Sequence, residues 1–409
     1  NHTLSMSAGS ERIRVMTSLG YLDQNGIIKN ANFKRYNLRN NMDIRMNDRL
    51  NFRLDIAATY SRRAANPYQS SVFGFMNSKD PLMLAQWSDG SYAPFTGGTV
   101  NPLPMIEQGV GGNNIRQNGV LKASAALEYK PVQWLTLEVK AAPQLTAVKT
   151  HRFVDLVEYH SDPYGTVSKT SNAEYNSLDE TVTAAWNGYS HATAAATRQF
   201  GGHSFKLLVG ASYEEYDYYS LGAYRQEFAY PDYEVISAGG DNEFKDNSGS
   251  RTQMALGSFF GRINYNFKER YLFEANLRYD GSSRFVRKNR WSAFPSFSAA
   301  WRVTEEPFMA AARKTLSEFK IRASYGTLGN QNINSYYPAS QLLTISSISA
   351  ANKIYPIVAQ NSLANEDITW ETTYMTDIGF DATLWNRLSI TADYYHKKTD
   401  GILMQLDIP

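Results

Sequence analysis

The sequence predicts an all-β protein, an antiparallel transmembrane β-barrel, on three observations. Apolar and polar residues alternate over stretches of about ten residues, the length a tilted strand needs to cross a bilayer. The connections between these stretches are alternately short and long, as a barrel with two different rims requires. The 409 residues include 27 Tyr, 20 Phe and 7 Trp, yet mean hydropathy is −0.44. A wall with lipid outside, water inside and aromatic girdles at both interfaces accommodates both properties.

The strands follow in order. Over residues 51–60, Phe52, Leu54, Ile56, Ala58 and Tyr60 form one face, and Asn51, Arg53, Asp55, Ala57 and Thr59 the other. Residues 135–141 oppose Leu135, Leu137, Val139 and Ala141 to Thr136, Glu138 and Lys140. Residues 271–280 oppose Tyr271, Phe273, Ala275, Leu277 and Tyr279 to Glu274, Asn276, Arg278 and Asp280. Residues 320–325 and 388–395 repeat the scheme, and about fourteen strands are expected in all. The Ala/Thr run over residues 181–200 fits either register. A soluble sandwich also alternates. The mid-strand charges Arg53, Asp55, Glu274 and Arg278 count against it, as does the sorting of the connections.

Short turns are expected near residues 9–11, 47–49, 130–133, 201–203, 268–269 and 385–387. Long connections are expected over 23–32, 63–119, 159–172, 221–250 and 329–366. Residues 71–76 suggest a helical turn. Glu305, Glu306 and Pro307 ahead of residues 308–313 suggest a short helix.

Composition excludes several classes of chemistry. With no Cys, there is no disulfide, thiolate zinc site or cysteine nucleophile. The formal net charge of +2, spread along the chain, is no nucleic-acid signature. No run of eighteen apolar residues marks a spanning helix. The six His are dispersed, without metal-ligand spacing. Ser190 and His191 are adjacent on a strand and point to opposite faces, so they form no dyad. The glycines at 109, 111 and 112 read as a loop turn rather than a dinucleotide fingerprint. Nothing in the sequence argues for catalysis. Asp241, Asn242, Glu243, Asp246 and Asn247 make an acidic loop that is a candidate Ca²⁺ site, though without EF-hand spacing. Tyr216, Tyr218, Tyr219, Tyr224, Phe228 and Tyr230 run from the top of a strand into a long loop. They read either as rings for a sugar or a lid protein, or as part of the outer aromatic girdle.

Several long blocks resemble the SusC/RagA family of TonB-dependent outer-membrane transporters of Bacteroidetes. They are residues 18–26 (SLGYLDQNG), 271–285 (YLFEANLRYDGSSRF), 294–302 (FPSFSAAWR), 319–326 (FKIRASYG) with 329–331 (GNQ), 370–372 (WET) with 377–380 (DIGF), and 394–400. They occur in the family's order and span essentially the whole chain. The resemblance implies a 22-strand barrel, of which this chain would be a middle fragment. No plug, TonB box or closing C-terminal strands are expected within it.

It further implies import of a bulky nutrient, a glycan or oligosaccharide first and a peptide second. A SusD-like surface lipoprotein would cap the extracellular side, and TonB would act through the plug. The alternative is a non-transporting outer-membrane barrel, an enzyme or an adhesin. The strand register makes Arg53, Asp55, Glu138, Lys140, Glu274, Arg278, Lys320, Arg322 and Asp393 the candidates for the lumen face. There they would pair with each other and with the plug, or meet substrate.

Overall fold

The computed structural model describes residues 1–77, 82–94, 101–107, 110–170, 174–333, 335–350, 353–360 and 364–404. One antiparallel sheet holds fifteen strands. The first five are β1 (His2–Gly9), β2 (Ile13–Asn25), β3 (Asn32–Arg45), β4 (Leu50–Ala65) and β5 (Gly112–Val132). Next come β6 (Leu135–Ala141) and β7 (Gln144–Val154), which both lie between β5 and β10 (Ser177–Phe200). They are two halves of one wall position. Pro143 separates them, because a residue without an N–H cannot continue the ladder. The break stays partly paired, with the Ala123 amide donating to the Pro143 carbonyl at 3.0 Å.

The wall continues through β11 (His203–Gln226), β12 (Asp246–Phe267), β13 (Tyr271–Ser282), β14 (Trp291–Arg302) and β15 (Leu316–Asn330). It ends with β18 (Glu371–Leu384) and β19 (Leu388–Asp400). The fifteen strands thus occupy fourteen wall positions. Two hairpins stand in the long connections: β8 (Glu158–His160) with β9 (Val167–Thr170), and β16 (Leu343–Ala350) with β17 (Lys353–Gln360). Among the described residues β1 pairs only with β2, and β19 only with β18.

Register sorts the side chains into two faces. Leu4, Leu19, Leu38, Ala58, Leu121 and Leu145 face one another in turn across six wall positions. All but Ala58 are large and more than a third exposed. A belt of exposed leucines around a sheet is stable only against hydrocarbon. Aromatic rings border this belt at both ends. Toward the long connections Tyr36 lies 5.0 Å from Tyr21 and 6.4 Å from Tyr60, and Trp291 stacks on Tyr279 at 5.0 Å. Toward the short turns Phe200, His203, Phe205, Tyr265 and Phe267 form one group, with His203 and Phe267 4.5 Å apart.

The turns at 201–202, 268–269 and 385–386 hold both central residues at positive φ. This is the hairpin geometry whose twist matches the flanking strands. The run 181–200 belongs to one continuous strand, β10. Several strands are longer than the expected ten residues: β10 and β11 have 24 each and β12 has 22. Three long connections are correspondingly shorter (26–31, 66–111 and 227–245), whereas those over 155–176 and 331–370 are longer than expected. Residues 69–77 form the one α-helix among the described residues, α1 (Gln69–Asn77). Residues 303–314 are three 3₁₀ turns and not the expected helix. The Thr304 hydroxyl accepts from the Phe319 amide at 3.1 Å and its carbonyl from the Arg313 guanidinium, which ties the segment to β15 instead of leaving it free to wind.

The buried cores sit at the long-connection end of the wall, because the wall itself has no interior. Val72, Met105, Val157 and Tyr159 form one cluster, joining the 66–111 connection to the 155–176 connection. Phe153, Leu178 and Phe228 form a second. Phe285, Phe294 and Trp370 form the third.

Candidate functional site

The face opposite the apolar belt is polar and carries the charges. Arg53 pairs with Glu138 across β5. Glu138 also takes His191 Nε2 at 3.0 Å, and His191 Nδ1 meets the Tyr189 hydroxyl at 3.1 Å. Asp55 accepts from Asn41, and Glu274 from Asn264 and Asn276. Arg278 holds Asp280 and the Ser258 hydroxyl, each at 2.8 Å. Lys320 holds Asp381 at 2.8 Å. Arg322 gathers Asp393 at 2.7 Å, Asp381 at 3.3 Å and Asp377 at 3.7 Å. Lys140 shares the face with no ion pair among the described residues. Eight of the nine lumen candidates are therefore engaged by neighbours on the same face. Such networks cost little in water-filled surroundings and fix side-chain geometry more than they stabilise the fold.

The structure divides the six aromatic candidates. Tyr216 and Tyr218 are on the polar face, where their rings run parallel, 6.4 Å apart and 12° between planes. Tyr336 stacks on Tyr216 at 6.0 Å. Tyr224 shares that face, and its hydroxyl accepts from Gln226 at 2.7 Å. Tyr219 points to the opposite face and is 46% exposed. Phe228 is buried edge-on against Phe153 at 5.5 Å, so it packs the 227–245 connection onto the wall. Tyr230 is exposed on that connection. The six are not one platform.

The same connection is fastened by His151. Its Nδ1 lies 2.6 Å from Glu180 and its Nε2 2.5 Å from Glu234, and Asn113 donates to both Glu234 oxygens. In the acidic loop, Lys245 occupies Asp241 at 2.5 Å and holds its carboxyl below the usual range. Asn242 donates to Glu227. Gly111 and Gly112 take positive φ at the start of β5, as a turn requires. Gly109 lies outside the described residues.

Three arginines were not singled out from sequence, one by itself and two as a pair. Arg284 is buried, spans Tyr336 at 4.6 Å and donates to the Gln331 and Ile333 carbonyls at 3.3 and 2.9 Å. It pins the 331–370 connection at the rim. Its presence in the 271–285 block was the available signal. The pair is Arg63 and Arg116, directly opposite each other in the β4–β5 register.

A continuous antiparallel wall with an apolar belt, two aromatic borders and a charge-bearing opposite face defines a membrane β-barrel. The chain belongs to the TonB-dependent receptor-like β-barrel family, whose model matches residues 3–409. It is 29% identical to a TonB-dependent receptor of Formosa agariphila, over 100% of this chain and 40% of that protein. It is 25% identical to the TonB-dependent receptor SusC of Bacteroides thetaiotaomicron, over 100% of this chain and 42% of SusC. The chain spans about two fifths of the length of these curated relatives. The solved structure of the RagAB peptide transporter shares the fold with a TM-score of 0.80 at 22% identity, over 100% of this chain and 45% of that one. The family places the wall in the outer membrane.

Proposed function

We propose that this wall serves active import of a bulky nutrient across the outer membrane, as the channel of a SusCD-like complex energised by TonB. The substrate is a glycan or oligosaccharide, with peptides as the second class. The observation that carries the reading is the polar face, where Arg53, Arg278 and Arg322 each hold a carboxylate, a lining that suits a hydrated solute. Family membership supports it. A SusD-like lipoprotein would sit on the rim built by the 66–111, 227–245 and 331–370 connections, and the plug that TonB pulls would meet the paired charges below.

The test is uptake of labelled oligosaccharides and peptides by cells with and without the full-length gene. Gene-dependent uptake abolished by a protonophore is expected. Gene-dependent surface binding without any uptake would favour the adhesin alternative and end the import reading. Co-purification of a surface lipoprotein with the full-length protein tests the partner. Calcium at the acidic loop would have to displace Lys245 from Asp241, so Lys245→Ala is expected to raise calcium affinity, read by titration calorimetry.

A further inference from the structure

We propose that the mouth of the polar face carries an arginine track that binds an acidic polysaccharide through its uronate carboxylates or sulfate esters. The proposal rests on the import reading above and names its substrate class.

The track follows from register. Arg63 on β4 is in phase with Arg53 and Asp55, and its direct partner on β5 is Arg116. Arg35 on β3 faces Ser61, two residues from Arg63 on the same face. Arg152 on β7 faces Asn114, two residues from Arg116. Four guanidinium groups thus share one face across four adjacent wall positions, a span of about 15 Å at the usual strand spacing. Like charges directly opposite on a sheet are destabilising. Folding alone therefore gives no reason to set Arg63 against Arg116.

Lower on the same face Arg53, Arg278 and Arg322 each hold a carboxylate and Arg39 holds Asn41, whereas the side chains of Arg35, Arg63, Arg116 and Arg152, like those of Arg14 and Arg262 lower down, have no ion pair or hydrogen bond among the described residues. Asp179, the carboxylate that register sets opposite Arg152, accepts instead from the Thr181 hydroxyl at 3.2 Å. Arg35, Arg63 and Arg116 are exposed. A guanidinium binds planar and tetrahedral oxyanions in a two-pronged fashion. A row of four fits a chain with repeating anions better than a single ion.

The neighbouring wall positions favour a saccharide over an acidic peptide. Tyr216 and Tyr218 stand as parallel, half-buried rings on the same face of β11, with Tyr336 stacked on Tyr216. The electron-rich face of such a ring attracts the C–H-bearing face of a pyranose. Their cross-strand neighbours Asn187 and Thr252 make no side-chain hydrogen bond among the described residues, which leaves them for sugar hydroxyls.

The experiment uses the full-length protein with its native partners, purified in detergent. Fluorescence anisotropy measures binding of four labelled probes: hexagalacturonate, a sulfated galactan hexamer, maltohexaose and hexaglutamate. One or both acidic saccharides are expected to bind tighter than the other two probes, and the two arms separate uronate from sulfate. Arg63→Ala or Arg116→Ala is expected to weaken that binding about ten-fold or more, and Arg116→Lys less. Arg116→Glu replaces the repulsion with an Arg63–Glu pair, so it is expected to keep or raise Tm while binding is lost.

Unchanged binding in a folded Arg116→Glu protein, tighter binding of hexaglutamate, or no binding of either acidic saccharide overturns the proposal. Uptake by whole cells separates this failure from that of the import reading. Gene-dependent uptake of maltohexaose or hexaglutamate with none of the acidic saccharides overturns the arginine track alone. No gene-dependent uptake of any probe overturns both.

Discussion

An added methyl on Gly329 would land in the ring of Phe294, thirty-five residues earlier in the chain. Phe294 in turn packs on Phe285 and Trp370, whose rings are 5.3 Å apart, and the Trp370 indole donates to the Arg290 carbonyl at 3.0 Å. Four of the sequence blocks thus meet at one point on the rim. Each block was legible as a motif, but their meeting was not, because a one-dimensional pattern carries no information on cross-strand contact. Gly329→Ala is expected to destabilise the full-length protein by about 1–3 kcal/mol, the cost of overpacking, and Gly329→Ala with Phe294→Leu by less. Thermal unfolding in detergent checks both. Arg284 is a similar case, a buried cation neutralised by carbonyl oxygens and a ring rather than a carboxylate. Arg284→Ala is expected to speed proteolytic cleavage within the 331–370 connection while strand content by circular dichroism holds. Equal cleavage rates would show that Arg284 does not anchor that connection.

At the scale of elements, period two locates a strand only where its two faces differ. On β11 the outward positions run Phe205, Leu207, Val209, Ala211 and Tyr213, and the alternation is plain. Above Tyr213 come Glu215 and Asp217, outward and polar, so both faces are polar and the signal fades although the ladder continues to Gln226. That is why the strand ends were read too early. The turn at Lys268 and Glu269 puts two ordinary side chains at φ of 52° and 57°. Asn-Gly at those positions relieves this strain, and a gain of about 0.5–1 kcal/mol in stability is expected, read as a raised Tm.

The lobe built from the 66–111 and 155–176 connections supplies a pH prediction. Burial and the Glu107 carboxylate push the Tyr92 hydroxyl up to about 12, and burial raises Tyr159 as well. A raised tyrosine contributes stability that is complete below its unfolded value near 10 and is lost as pH rises toward the folded one. The lobe should therefore open between about pH 10 and 12, with faster proteolysis of the 66–111 connection. Tyr92→Phe should shift that opening upward, and an unshifted midpoint would exclude Tyr92 as its cause.

Across the whole molecule, the sorting of loops by length and the alternation by face were enough to read the barrel wall and its fourteen positions. Which charges would be satisfied was not readable, since Arg53 meets Glu138 eighty-five residues away. Arg63 meets no anion among the described residues and so gave no pattern to find. Among the described residues the outer edges of β1 and β19 are unpaired. Open edges template further pairing, so this chain refolded alone in detergent is expected to elute as oligomers in size-exclusion chromatography. A monodisperse monomer would mean that the two edges find each other.

The long strands have a mechanical consequence. On β11 about a dozen residues stand beyond Tyr213, the last ring of the apolar belt. At the usual rise and tilt they carry this flank of the wall, β10 to β12, about 30 Å above the lipid, whereas β13 and β14 stop level with Tyr213. Held by backbone ladders on both sides, β11 makes this flank of the rim a stiff palisade that stands clear of the headgroup layer. A protease acting on intact cells is therefore expected to trim the loops at the top of that palisade while the embedded belt below keeps its seal.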